Sequence, residues 1–442
     1  MQPDRGRAHP GAERGLLPPA TADLVGTTGV ITLATSLVVF QLRGALEEAV
    51  GAPARATPIL IPLAMLCAAM VVVHQRGRLP FGVLPVLALG LVFVPGIASA
   101  SFEGYSGTKT LELVVVTLGM SAAAVVLIDC WRRVEQLVWA LLVTTAIVCV
   151  LGLVLPGAQS TIGTRTSAFG INPMLMARAG SLLAVIAVLT MVGTRWKGRL
   201  VCIGLLGAGS YWVVAPANKA GVLAVALGLV TVAATTWFGV RRRPHLSWRS
   251  LTAAAAAAGV AMLAAALLAP RAGLDRILAG GIDQARPRYY RAALDEITSN
   301  PLGAGLGHFA SIRDPGATPR RSYPHNVLLE TGSEAGIVAM VAVIALLVAA
   351  TVFAWRARDS WGRLLAPILV VVTVHAMAAS DLNGNRAMFV IASVAVGLGL
   401  RDRGTLPLWP ASATEPASRP GSSPGTSPTG SDTAGTPPSP TS

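Results

Sequence analysis

Runs of about twenty apolar residues recur along most of this chain, and nothing else in it constrains the fold so strongly. A helix needs about 20 residues to cross the roughly 30 Å hydrocarbon core of a bilayer. Twelve runs approach that length, at approximately 24–42, 57–74, 80–99, 109–129, 134–155, 173–194, 199–215, 219–239, 249–270, 335–355, 364–380 and 386–400. They do not alternate in polarity as the short strands of a membrane barrel do. Hydrophobic residues make up 53% of the 442 residues and charged ones 13%, against about 25% charged in soluble domains. An ordinary soluble enzyme and a disordered chain are both excluded. The expectation is an all-α, polytopic transmembrane helical bundle of about twelve spans, with a large, partly helical extracytoplasmic loop.

The formal net charge is +14, which in a soluble protein would suggest nucleic acid. Here the distribution matters more. Basic residues gather in alternate loops: Arg76 and Arg78, Arg132 and Arg133, Arg195, Lys197 and Arg199, Arg241, Arg242, Arg243 and Arg249, then Arg356, Arg358 and Arg363. The positive-inside rule puts these loops and both termini in the cytoplasm of a plasma-membrane protein, and no nucleic-acid partner is expected. The chain divides into a cytoplasmic tail (1–23), nine spans (24–270), an extracytoplasmic loop (271–334), three spans (335–403) and a Pro-, Ser-, Thr- and Gly-rich tail (404–442). The composition of the last segment predicts disorder. The four cysteines, Cys67, Cys130, Cys149 and Cys202, have no CxxC spacing and suggest neither a disulfide framework nor a metal site.

The loop 271–334 carries eight arginines. Tyr290, Ala293, Leu294 and Ile297 recur at helical spacing, Pro287 suits the first turn, and Asn300-Pro301 ends the helix. Arg286 then sits at a helix N-terminus, where unpaired N–H groups already favour an anion. A glycine-rich turn follows, and Tyr323-Pro324-His325-Asn326 leads into the next helix. Of six histidines, His9, His74 and His245 fall on the inner side, His375 lies in a span, and His308 and His325 are outside. A neutral imidazole is a natural base for a hydroxyl, and arginines beside it bind phosphate oxygens. That pairing at an outer membrane surface suits glycosyl transfer from a lipid diphosphate. For each residue there is also a plain structural reading: a capping histidine, a solvated arginine face, a snorkelling lysine.

Gly303-Ala-Gly305-Leu-Gly307-His-Phe309, followed by Tyr323-Pro-His325-Asn326 and Gly336, resembles the signature of the O-antigen ligase family. So does Arg286-Pro-Arg-Tyr-Tyr290-Arg-Ala-Ala-Leu294 ahead of Asn300-Pro-Leu. Two weaker likenesses lie upstream, in Arg165-Thr-Ser-Ala-Phe-Gly-Ile-Asn172-Pro173 and in Ala217-Asn218-Lys219-Ala220-Gly221. In the second, lysine stands where the family usually has arginine, keeping the charge but losing the bidentate fork. The resemblance implies an inverting glycosyltransferase that needs no metal or other cofactor. Its donor would be a polyprenyl-diphosphate-linked glycan, and its acceptor a glycan, a lipid or the cell wall. His325 would be the general base. Arg286 and Lys219, helped by Arg165 or Arg178, would bind the diphosphate, and Asn326 and Tyr290 would contact substrate. Glu330 and Glu334, at i and i+4, would orient the histidine. Ligase and polymerase share these motifs. A secondary transporter or lipid-linked oligosaccharide flippase has the same span count but calls for inverted repeats and midplane ionisable groups; no convincing repeat is visible, and the charges gather at one outer loop.

Overall fold

Away from water, every backbone N–H and C=O must be satisfied within its own segment, so apolar runs wind into helices. In the computed structural model, residues 17–39, 57–155, 159–162, 165–168, 172–192, 196–240, 248–278, 285–309, 323–358, 360–378, 381–401 and 404–407 are described. Most of both expected tails lies outside these residues. The first helices are α1 (Pro19–Val39), α2 (Thr57–His74), α3 (Leu84–Val92), α4 (Val94–Ala98) and α5 (Gly104–Leu127). They are followed by α6 (Trp131–Val154), α7 (Pro173–Met191), α8 (Trp196–Val214), α9 (Lys219–Val240) and α10 (Trp248–Leu268). The segment expected to be extracytoplasmic contributes α11 (Arg271–Leu278), α12 (Ala285–Ser299) and α13 (Val327–Ala335). The chain continues with α14 (Ile337–Arg356), α15 (Gly362–Ala378) and α16 (Arg386–Gly399).

Among the described residues six helices are long and apolar enough to cross a membrane: Pro19–Val38, Gly104–Leu127, Trp131–Val154, Pro173–Met191, Lys219–Phe238 and Ile337–Arg356. Shorter apolar helices cover Ile59–His74, Phe81–Val92, Thr252–Leu268 and Gly362–Ala378. The expected span 80–99 is not one helix. Pro85 and Pro95 sit in the first turns of α3 and α4, which meet at Phe93, where the missing proline N–H leaves no bond back to a preceding turn.

The bundle has a centre and a rim. In α7, 83% of the most apolar window is buried; in α14, 28% is. The outer stripe of α14 exposes Val338, Val341, Ile344, Val348 and Val352, a contiguous apolar surface suited to a bilayer and not to water. Lipid supplies no hydrophobic drive between helices, so close packing of small residues holds them together. Gly180 of α7 and Gly209 of α8 show this: a Cβ on Gly180 would lie 2.6 Å from the Gly209 carbonyl oxygen.

Two short ladders complete the fold. β2 (Gln159–Ile162) pairs antiparallel with β3 (Arg165–Ala168), and β1 (Arg78–Pro80) with β4 (Thr405–Pro407). The second ladder corrects the tail boundary, since residues 405–407 are paired strand and not disordered. The N-terminal boundary also moves, with α1 starting at Pro19 inside the expected tail. At the β1–β4 end, Arg133 donates to Asp23 Oδ1 at 2.7 Å and Thr27 Oγ1 at 2.6 Å, joining α6 to α1.

Candidate functional site

At the other end of the bundle, residues 300–309 run between α13 and the stretch joining α4 to α5. Gly303, Gly305 and Gly307 have φ of +93°, +104° and +82°, in a region L side chains rarely adopt. The N–H groups of this turn are spent on protein carbonyls: Ala304 donates to Ser333 (3.0 Å), Gly305 to Glu334 (3.0 Å), Leu306 to Gly96 (3.0 Å) and His308 to Gly305 (3.1 Å). The glycine-rich turn is therefore a seat for α13.

The expected single helix after His325 is broken at Gly336, with φ +94° and ψ 168°. Its amide ends α13 by bonding to Gly332 O (3.1 Å), and Ile337 N at the start of α14 turns away to Pro301 O (2.9 Å). α13 is thus a separate short helix, and His325 stands just before it. His325 has φ +58°. Its ring lies 4.4 Å from that of Tyr323 and 6.0 Å from that of Tyr289, centroid to centroid. Tyr289 also meets Phe309 at 6.3 Å. Asn326 caps α13, its Oδ1 accepting from Leu328 N (3.0 Å) and Leu329 N (3.2 Å), so this oxygen of the residue expected to contact substrate serves the helix instead.

α12 lies against α13 and presents Ala293 and Ile297, both buried; a Cβ on Gly332 would meet Ile297 at 2.7 Å. Leu294, expected on that face, is 51% exposed. The face is turned one residue back, so that Tyr289 and not Tyr290 reaches His325. Arg286 is half-buried one turn earlier on the same face, within the first turn of α12. The helix thus brings Arg286 to the neighbourhood of His325.

Arg178, 4% exposed, donates to Gly384 O (2.6 Å) and Asn385 Oδ1 (2.8 Å). Asp381, Arg386 and Tyr323 are its electrostatic neighbours. Asp381 accepts from Tyr105 OH (3.2 Å) and from Gly384 N (2.7 Å). His375 meets Ser181 Oγ at 3.1 Å.

Glu330 and Glu334 do not point at the histidine. Both converge on Lys109 of α5, with Nζ at 2.5 Å from Glu330 Oε1 and 2.6 Å from Glu334 Oε2. The three side chains are 1%, 0% and 1% exposed. Burial pushes the Glu330 carboxyl up to about 8, with Lys109 acting in the opposite direction.

Lys219 is exposed at the start of α9. Two residues on, a Cβ on Gly221 would lie 3.4 Å from Ala177 Cβ and Ser181 Oγ, so Lys219 and Arg178 stand at the same end of neighbouring helices. Arg165 is half-buried at the start of β3, whose Thr166 N bonds to Ala215 O (3.2 Å) just before the Ala217-Asn218-Lys219 turn. The packing thus sets α12, which carries Arg286, against the helix that follows His325, and β3, which carries Arg165, beside the turn that precedes Lys219. Below Lys219 an apolar groove of about 350 Å³ opens between α9 and α10, lined among others by Val222, Ala226, Leu229, Ala254 and Ala258.

Lys109, Tyr105, Tyr289 and Tyr323 escaped the sequence reading as site residues. Lys109 left one signal, being one of three lysines in an arginine-rich chain and standing at the edge of an apolar run; its partners lie 221 and more residues away. No protein-family model matches the chain, and no curated protein matches it.

Proposed function

We propose that this chain is a membrane glycosyltransferase of the O-antigen ligase type. It crosses the cytoplasmic membrane about twelve times, with both termini inside and the His325 end outside. A glycan passes from a polyprenyl diphosphate to an acceptor hydroxyl. His325 takes the hydroxyl proton as the acceptor oxygen bonds to the anomeric carbon. The bond from that carbon to phosphate breaks, and its electron pair leaves with the diphosphate. Arg286, with Arg178 or Lys219, meets the charge that develops there. The apolar groove below Lys219 would take part of the isoprenoid tail. Ligase and polymerase differ only in which hydroxyl is presented.

What supports this reading is that α12, which carries Arg286, packs on α13 with Tyr289 against His325, while Tyr323, also against His325, is an electrostatic neighbour of Arg178. The test is reconstitution in liposomes with a polyprenyl-diphosphate-linked oligosaccharide, following release of polyprenyl diphosphate. Arg286→Ala is expected to weaken competition by farnesyl diphosphate roughly 10–100-fold, the worth of a lost charge-assisted hydrogen bond. Lys219→Arg is expected to stay within threefold of the parent. No release by the parent chain, with the oligosaccharide moved intact between leaflets, would make it a flippase instead.

A further inference from the structure

One turn of α5, residues 105–109, touches both halves of the site. On one side Ser106 Oγ donates to Leu306 O (2.5 Å) in the glycine-rich turn, and Lys109 holds Glu330 and Glu334 of α13. On the other, Tyr105 donates to Asp381, and Lys109 O accepts from Asn383 Nδ2 (2.8 Å). The 381–385 turn in turn supplies the carbonyl and amide that hold Arg178. Just beyond, α5 relaxes into wider π-type winding over Glu112–Leu118, a distortion that often accompanies functional sites.

We propose that Lys109 is a positioning residue for this reaction, locking the helix behind His325 to the same turn that fixes the Arg178 loop. The inference rests on the glycosyltransferase reading. Charge balance adds a condition. One ammonium cannot neutralise two carboxylates, and a net charge buried among apolar residues is costly, so one carboxyl of the pair keeps its proton. Glu330 Oε2 and Glu334 Oε1 are buried and accept no hydrogen bond from the described residues, which leaves sites for that proton. The charged and titratable groups acting on Glu330 are Lys109, Glu334 and Asp381, with Tyr105 beside Lys109. From α12 and α4, Ile297 and Gly96 meet α13 instead. Burial raises the Glu330 carboxyl, so its neutral form exists below its own titration and is lost above it, and the lock holds at neutral pH and loosens in alkali.

The experiment compares liposome-reconstituted parent, Lys109→Met, Lys109→Arg and Glu330→Gln for polyprenyl diphosphate release from pH 6 to 10. Melting in detergent is followed alongside. The parent is expected to lose turnover by about tenfold per pH unit above the titration of a single required proton. Glu330→Gln, whose amide cannot ionise, should lack that fall whatever its absolute rate. Lys109→Met should lose at least thirtyfold in kcat with KM within threefold, and Lys109→Arg should recover part of it. A folded Lys109→Met with parental kcat overturns the proposal. If Lys109→Met fails to fold, an alkaline fall unchanged in Glu330→Gln overturns it. A parent chain with no turnover at any pH instead sinks the glycosyltransferase reading.

Discussion

His325→Asn should cut turnover by about 10²–10⁴-fold, the usual contribution of a positioned general base, while competition by farnesyl diphosphate stays within twofold. Asparagine is the informative replacement because His325 holds φ +58°, and asparagine is among the few residues that tolerate the left-handed region. Alanine would remove the base and strain the backbone together, blurring two losses. The asparagine side chain keeps a polar group before the Asn326 cap and removes only the imidazole. Turnover of His325→Asn within tenfold of the parent would take the base away from His325. The histidine would then be a structural link between Tyr323 and Tyr289.

Gly336→Val is expected to yield little folded protein. The backbone there, φ +94° and ψ 168°, lies in a region essentially reserved for glycine, and a side chain forced into such a conformation costs about 1–3 kcal/mol. A Cβ would also lie 2.6 Å from Leu302 C and 2.7 Å from Leu302 O, both backbone atoms that cannot swing aside. Against a typical total stability of about 5–15 kcal/mol, strain and overlap together remove a large share. Gly204→Ala is the matched control. Nothing lies within 4 Å of a Cβ at Gly204, which sits in mid-helix in α8, where alanine is the better helix former. Melting in detergent should separate the two, with Gly204→Ala at or above the parental temperature and Gly336→Val far below it or absent from the membrane fraction. Equal melting of the two variants would mean that the break between α13 and α14 is not obligatory.

What could be read from the sequence followed the range of the interactions involved. Apolar runs are local, and the described residues of the expected spans are mostly helical, though the third is divided by its prolines and six helices among them are long and apolar enough to cross a membrane. The pre-helical position of His325 and the glycines of 303–307 were equally legible, because turn chemistry is written within a few residues. The face of α12 was misread by one residue, since Leu294 and Tyr290 are as apolar as the neighbours that actually pack and only the partner helix fixes the phase. Gly336 looked like a helix residue because nothing beside it reveals that Pro301 and Leu302 pass against it. Lys109 was beyond reach for the same reason. A lone cation at the edge of an apolar run is also what a headgroup anchor looks like, and only the fold brings Glu330 and Glu334 to it.

The β1–β4 ladder has a practical bearing on every assay above. α16 starts at Arg386, beside the Arg178 loop, and ends at Gly399; Thr405–Pro407 is then stitched to Arg78–Pro80. The stitch is made a full helix length from His325. Any shortened variant taken into these experiments should therefore keep Thr405–Pro407, since trimming the chain back past Thr405 would remove a clasp.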